Sequence, residues 1–274
     1  MTRQDSVRST PVPAVSSAPS THQGPAPTTP GQHSLARSVV LHLSPGLALA
    51  TFVVLTASVF ESWGLPALFA LIVGIGVVIA PLELGYLSIH AHRTTGSWSP
   101  LAAVDYRTRR PVRRLLLVGG ALAAFMMTLV VAHVLVLDRL IAPLFSWMPA
   151  TLLQFSSIEE SGDPLAGGAL AVMVIALLLL NGIVGPVTEE LYFRGHLLPR
   201  IDRFGPWAPV INTVLFTLYH LWTPWRWPQV LFGSLPANWL AWRERSVWLP
   251  MVTHLMVNLL FSLLLIAAYL EAVS

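Results

Sequence analysis

The sequence predicts an all-α membrane protein, a polytopic helical bundle of about seven or eight transmembrane helices. Two observations carry this. Hydrophobic residues make up 54% of the 274-residue chain and charged residues only 11%, where soluble domains carry about a quarter charged. The apolar residues also fall in continuous runs rather than alternating ones. A membrane-crossing helix takes ~20 apolar residues. With no water to satisfy backbone amides, only helices and closed barrels cross a bilayer, and continuous runs select helices.

The elements follow in order. Residues 1–38 are rich in Pro, Ser, Thr, Gln and Gly and lack aromatics, which predicts a disordered tail. It is not a signal peptide, because the first apolar run starts too late and is too long. A multi-pass membrane domain follows over 39–271, with helices predicted at 39–60, 64–89, 113–137, 167–187, 206–222, 227–242 and 247–270. The sixth is interrupted by Pro228 and Pro236 and reads as a re-entrant candidate. The stretch 140–157 is apolar but broken by Pro143 and Pro149, an interfacial segment or a short eighth helix.

Charge sets the expected orientation. The net charge is +3 and every one of the 16 basic residues is Arg. The loop 90–114 holds Arg93, Arg107, Arg109, Arg110, Arg113 and Arg114, so it is expected in the cytoplasm. The tail with Arg3, Arg8 and Arg37, the segment with Arg194, Arg200 and Arg203, and residues 243–245 fall on the same side. The loop 157–166, whose only charges are Glu159, Glu160 and Asp163, falls on the other. The expectation is a plasma-membrane protein with a cytoplasmic N-terminus. Membrane topology accounts for the basic pI, so no nucleic-acid partner is expected, and the membrane lipids are partners by default. There is no Cys, which removes disulfides, thiolate catalysis and Cys-ligated metals. No internal repeat supports a transporter built from inverted halves.

Ionisable residues within apolar helices are costly and mark function by default. Three clusters stand out: Thr188 to Gly195 with Glu189, Glu190 and Arg194; Phe216 to His220; and His254 to Asn258. Glu190 and Arg194, four apart on a helix, share a face and suit an ion pair. Glu189 is rotated ~100° away, which leaves it free as a general base or metal ligand. His254 and Asn258 also share a face, with Glu189 and His220 as their obvious partners. Together these groups supply a base, a second base or ligand, and donors for an oxyanion, the parts needed to add water to a peptide carbonyl. Contact requires the fourth helix to continue to about residue 198, where Pro199 and Gly205 give a stop. Glu189 then lies ~15 Å and His220 ~25 Å from the turn, a gap that tilt closes.

Read as Glu189-Glu190-x-x-x-Arg194, Phe216-x-x-x-His220 and His254-x-x-x-Asn258, the clusters resemble the motifs of the CPBP family of intramembrane proteases. That family includes the type II CAAX prenyl endopeptidases and bacterial relatives linked to bacteriocin processing and immunity. All three motifs match without departure, and the resemblance covers about residues 165–262. It implies that Glu189 and His220 activate the attacking water, that His254 and Asn258 hold the oxyanion, and that the site opens toward the cytoplasm. The expected substrate is a peptide or a lipid-anchored or membrane protein. The family has been described both as zinc enzymes and as metal-free glutamate proteases. Glu189, His220 and His254 are the ligand set if zinc is present, and the residues leave both options open.

Other polar residues have plainer readings. His133 reads as hydrogen-bonded to a neighbouring helix with no functional role, His42 and Glu83 as markers of helix kinks or ends beside Pro45 and Pro81, and His196 as facing the interface. The Trp residues, Trp222, Trp225, Trp227 and Trp248 among them, read as an interfacial belt, with Trp225 and Trp227 as alternative linings of a substrate path. Gly233-Ser234 with His254 suggests a serine protease, but a G-x-S-x-G pattern is absent. The rivals from other classes are a non-enzymatic immunity or partner-binding membrane protein, and a proton-coupled transporter using Glu189 and His220 as a relay.

Overall fold

The computed structural model describes residues 31–149, 152 and 167–272. Among the described residues, seven helices of at least thirteen residues follow one another: α1 (Leu35–Ser62), α2 (Leu68–Thr95), α3 (Val112–Phe145), α4 (Gly167–Phe204), α5 (Trp207–Tyr219), α6 (Trp227–Glu244) and α7 (Trp248–Ala272). Among the described residues there is no strand beyond one bridge between Arg107 and Ser246. The fold is an all-α polytopic bundle. Helices α1, α2, α3, α4 and α7 are long and apolar enough to cross a membrane. Between α4 and α7, α5 and α6 form a hairpin whose tip is the turn Pro224–Arg226; α5 is shorter than a full crossing. Of the stretch 140–157, Ala142–Phe145 is a 3₁₀ turn ending α3, and most of the remainder, with the acidic loop after it, lies outside the described residues.

Proline shapes two of the long helices. It lacks an N–H donor and crowds the preceding turn. Wider π-helical turns stand just before Pro81 (Ile75–Ile79) and Pro186 (Leu177–Val184), which relieves that crowding without ending either helix. A further π-helical stretch, Glu190–Leu197, starts directly after Glu189 and carries Glu190 and Arg194 of the first polar motif. Helix α4 continues past the expected residue 198 through a 3₁₀ turn to Phe204, where Gly205 takes a left-handed φ of 54°.

Helix α1 starts at Leu35, with Ser34 capping the Arg37 amide. Its buried stripe of His42, Gly46, Leu49, Val53 and Ala57 repeats at helical spacing and packs on α2 and α5. Helix α7 packs on α3 and on the π-helical part of α4. Apolar side chains such as Leu55, Leu117 and Ile175 stay exposed on the outer faces, as lipid-facing positions require.

The Arg-bearing segments expected on one side gather at one end. Arg110 and Arg114 both pair with Glu244, at 2.9 and 2.5 Å. Arg200 pairs with Asp105 at 2.5 Å, and Arg245 with Asp202 at 2.7 Å. The Val247 amide donates to the Tyr106 carbonyl. The loop 96–111 thus latches the ends of α4, α6 and α7 together.

Candidate active site

The first motif lies on the π-helical part of α4, the second at the C-terminal end of α5 and the third on α7. Glu189, Glu190, Arg194, His220, His254 and Asn258 all line one cavity of about 710 Å³. The cavity runs from Pro250, in the first turn of α7, to Ala268, ~27 Å along the helix at 1.5 Å per residue.

Glu190 and Arg194 form the ion pair expected of them, at 3.1 Å, with both side chains buried. Arg194 also donates from Nε to Asn238 Oδ1 at 2.5 Å, and its guanidinium lies 3.8 Å over the Phe216 ring. Asn238 in turn donates to Thr213. One charged side chain of α4 therefore ties α5 and α6 in place, and burying it unpaired would be costly.

The second carboxylate is held differently. Glu189 Oε1 accepts from the Tyr219 hydroxyl at 3.2 Å, and Glu189 Oε2 stands 4.0 Å from His254 Nε2. His254 Nδ1 lies 2.9 Å from Glu190 Oε1. With Nδ1–H given to Glu190, Nε2 is the nitrogen that faces Glu189. His220 Nδ1 lies 2.9 Å from the Phe216 carbonyl. A carbonyl only accepts, so Nδ1 carries the proton and Nε2 is left as a bare acceptor. Asn258 spends one N–H on the Asn181 carbonyl at 3.0 Å and has a second to give.

Several side chains belong to this site that the motifs did not mark. Tyr219 precedes His220 and orients Glu189. Asn238, an amide in the middle of a largely apolar helix, was the available signal for the Arg194 clamp. Glu83 is fully buried, and neither carboxyl oxygen has a hydrogen-bond partner. The charges that act on it through space include Glu189, Glu190 and Arg194, so besides standing next to the distorted turn at Pro81 it is a third carboxyl beside the site. His42 sits inside α1, accepting from Asn212 at 2.9 Å, and Asn212 also donates to the Phe193 carbonyl. His133 is buried and faces Asp138 at 3.7 Å.

Three plainer readings change. His196 does not face the interface; it is fully buried, with Nδ1 on the Ala103 carbonyl at 2.8 Å. Trp222 and Trp225 are not belt residues, at 7% and 1% exposure. Trp222 lines the cavity, and both sit in the hairpin tip, where the turn folds inward. Trp227 donates to the His220 carbonyl at 3.1 Å. Ser234 gives its hydroxyl back to the Val230 carbonyl of its own helix at 2.7 Å, which commits that proton within the helix rather than to His254.

Zinc would be held by Glu189, His220 and His254 if the implied set served. Among the described residues, no three His, Cys, Asp or Glu side chains gather closely enough to hold a metal ion, and His254 Nδ1 is engaged by Glu190. As arranged, the set does not fit a zinc site.

Residues 171–260 match the family model described as type II CAAX prenyl endopeptidase Rce1-like. The matched segment contains all three motifs, so the resemblance they carry is shown over that part of the chain. The match supports CAAX-type proteolysis at a membrane as the general activity. No curated protein matches the chain, and no solved structure does.

Proposed function

We propose that the protein is an intramembrane endopeptidase in which Glu189 is the general base for water. The observation that carries this is the setting of Glu189: one oxygen is fixed by Tyr219 and the other faces His254 Nε2 across 4.0 Å, within the cavity. A water in that gap is within reach of the free carboxylate oxygen. His220 presents a bare Nε2 to the same cavity and serves as the second acceptor in activating the water. As the water attacks, charge builds on the carbonyl oxygen. His254 Nε2–H and the spare Asn258 N–H are the donors for it. Donation from both ring nitrogens makes His254 an imidazolium in this step, and the two carboxylates Glu189 and Glu190 face the two cations His254 and Arg194. The proton taken by Glu189 then passes to the leaving amine. Glu190, Arg194 and Asn238 hold the three helices in register.

The Arg-rich end, read by the positive-inside tendency, is the cytoplasmic one, with the N-terminus on that side; residues 39–271 are the membrane domain in this reading. The cavity reaches the first turn of α7 at that end, so a peptide enters from the cytoplasmic face. A prenylated protein tail is the substrate class that the matched family suggests.

The test is cleavage of a mixed peptide library by purified protein in proteoliposomes. Wild type is compared with Glu189→Gln and His254→Ala, each with and without chelator. Cleavage by wild type, lost in both variants and insensitive to chelator, supports the reading. Cleavage that survives Glu189→Gln overturns it, and cleavage abolished by chelator and restored by zinc overturns the metal-free route.

A further inference from the structure

Glu83 takes no part in activating the water, yet it stands beside the base. Helices α2 and α4 each carry a wide π-helical turn, then a proline, then a glutamate: Ile75–Ile79, Pro81 and Glu83 in α2, and Leu177–Val184, Pro186 and Glu189 in α4. The two wide turns pack on one another. Gly185 permits the approach, since a Cβ there would lie 3.3 Å from Ile75 Cγ2. Past that contact, the part of α2 that bears Glu83 packs on both the Gly185–Glu189 and Glu190–Leu197 parts of α4. Widened turns of this kind recur at functional sites.

The two carboxyls share the Tyr219 hydroxyl. It donates to Glu189 Oε1 at 3.2 Å, and Glu83 acts on the same phenol. Glu189 lines the cavity, whereas Tyr219 and Glu83 do not, so both stand behind it. Glu83 is fully buried, with both oxygens unpartnered. Its other polar neighbours are engaged elsewhere: Arg194 pairs with Glu190 at 3.1 Å, and the Tyr192 hydroxyl donates to the Leu41 carbonyl at 2.9 Å. A buried carboxyl with neither cation nor donor is too costly to keep charged and holds its proton instead. A phenol has one proton to give and lone pairs with which to accept. That proton is given to Glu189, so Glu83 can meet Tyr219 only as the donor.

We propose that Glu83 is a positioning residue that, as a neutral acid, donates to the Tyr219 oxygen and so directs the Tyr219 proton onto Glu189. Its effect on rate rests on the proteolytic reading of Glu189. The chain runs from Glu83 O–H to Tyr219 and from Tyr219 O–H to Glu189, with an acid at one end and a carboxylate at the other. Neither Glu83 oxygen closes a bond as the side chains stand; this pairing satisfies one of them without taking the Tyr219 proton from Glu189. An ionised Glu83 would compete for that proton and release Glu189 from its orientation. Hydrogen bonds in series strengthen one another in a low-dielectric interior, so losing the first link weakens the second.

The test begins with infrared spectroscopy at neutral pH, which needs no turnover. A protonated carboxyl has a carbonyl stretch apart from the carboxylate bands. The difference spectrum between wild type and Glu83→Gln in nanodiscs is expected to show that band, and Tyr219→Phe is expected to shift it. Absence of the band, or a band that Tyr219→Phe does not move, overturns the inference. Cleavage is then compared in Glu83→Gln and Glu83→Met. Met removes the donor and is expected to lower kcat about fivefold, the scale of a neutral hydrogen bond. KM and melting temperature are expected to hold, because an apolar side chain suits the buried position. Gln keeps an N–H for Tyr219 and is expected to bring kcat back to within about twofold of wild type. In a Tyr219→Phe background Glu83→Met is expected to add nothing. Wild-type kcat in Glu83→Met, an equal fall in Glu83→Gln, or an undiminished effect without the Tyr219 hydroxyl overturns the positioning role. The infrared arm decides should Glu83→Met fail to fold. A band that shifts with Tyr219→Phe, with no cleavage by any form, keeps the link from Glu83 to Tyr219 and sinks the protease reading instead.

Discussion

His254 is bonded to Glu190 and not to Glu189: Nδ1 lies 2.9 Å from Glu190 Oε1, while Nε2 stands 4.0 Å from Glu189 Oε2. The adjacent carboxylates of the first motif therefore do different work. Glu190 carries Arg194 and His254 together, and Glu189 keeps one oxygen for the cavity.

This division separates two substitutions that differ by one position. Glu189→Gln is expected to lower kcat by ~10²–10⁴, the range of a lost general base, with no fall in melting temperature. Glu190→Ala leaves Arg194 buried without its anion and is expected to cost about 3–5 kcal/mol of stability. Cleavage rate and thermal unfolding of each variant in the same detergent check this. Equal losses of stability would refute the division.

Tyr219 orients Glu189, the proposed base. Its hydroxyl is 3.2 Å from Glu189 Oε1, and a hydrogen bond to a charged group contributes ~1.5–3 kcal/mol. Tyr219→Phe is expected to lower kcat by roughly 10–100-fold, with KM and melting temperature near wild type. A change confined to KM would show that Tyr219 serves binding.

Gly46 is where α1 meets the end of α5. A Cβ at that position would lie 2.1 Å from the Tyr219 carbonyl oxygen, and backbone cannot swing aside as a side chain does. Gly46→Ala is expected to push α1 and α5 apart, at a cost of about 1–3 kcal/mol, and to reduce cleavage because Tyr219 and His220 move with the backbone. Gly64, whose Cβ would meet nothing within 4 Å, is the control on crowding, though its φ of 75° adds a separate strain to Gly64→Ala. A Gly46→Ala protein with wild-type melting temperature and rate would show that the contact does not position the site.

Much of this was legible in the sequence because it depends on local rules. Long apolar runs gave the helices, Arg-bearing loops gave a common end, and the spacing of Glu190 and Arg194 gave their ion pair. Interhelical pairing was not legible. Periodicity says which residues share a face, not which helix that face meets, so His254 on Glu190, Arg194 on Asn238 and Tyr219 on Glu189 required the fold. Glu83 did carry a signal, a carboxyl inside an apolar run. Nearby Pro81 offered a local explanation that hid the long-range one. Trp222 and Trp225 misled for a related reason: aromatic residues at an expected membrane boundary suit a belt, but the hairpin turns them inward.

The same limit explains the start of the chain, where a low-complexity stretch ends in residues that dock. The His33 amide donates to the Arg200 carbonyl at 2.7 Å, and Gln32 bonds both the Pro199 carbonyl and the Arg203 amide. The arm thus straps the end of α4, the helix that carries Glu189 and Glu190. His33 is buried. Burial, with Arg37 and Arg200 nearby, pulls its pKa from 6.5 down to about 4. A His whose folded pKa is depressed takes up its proton more readily when released, so docking is at full strength above pH 6.5. It weakens as pH falls from 6.5 toward 4, where the undocked arm binds a proton and the docked arm does not. The chain has no Cys, so Gly31→Cys gives a single site for a fluorophore. Anisotropy of that label is expected to fall between pH 6.5 and 4, and His33→Gln is expected to remove the transition while leaving the anisotropy at pH 7.5 high. An unchanged transition in His33→Gln would assign the pH response to another group.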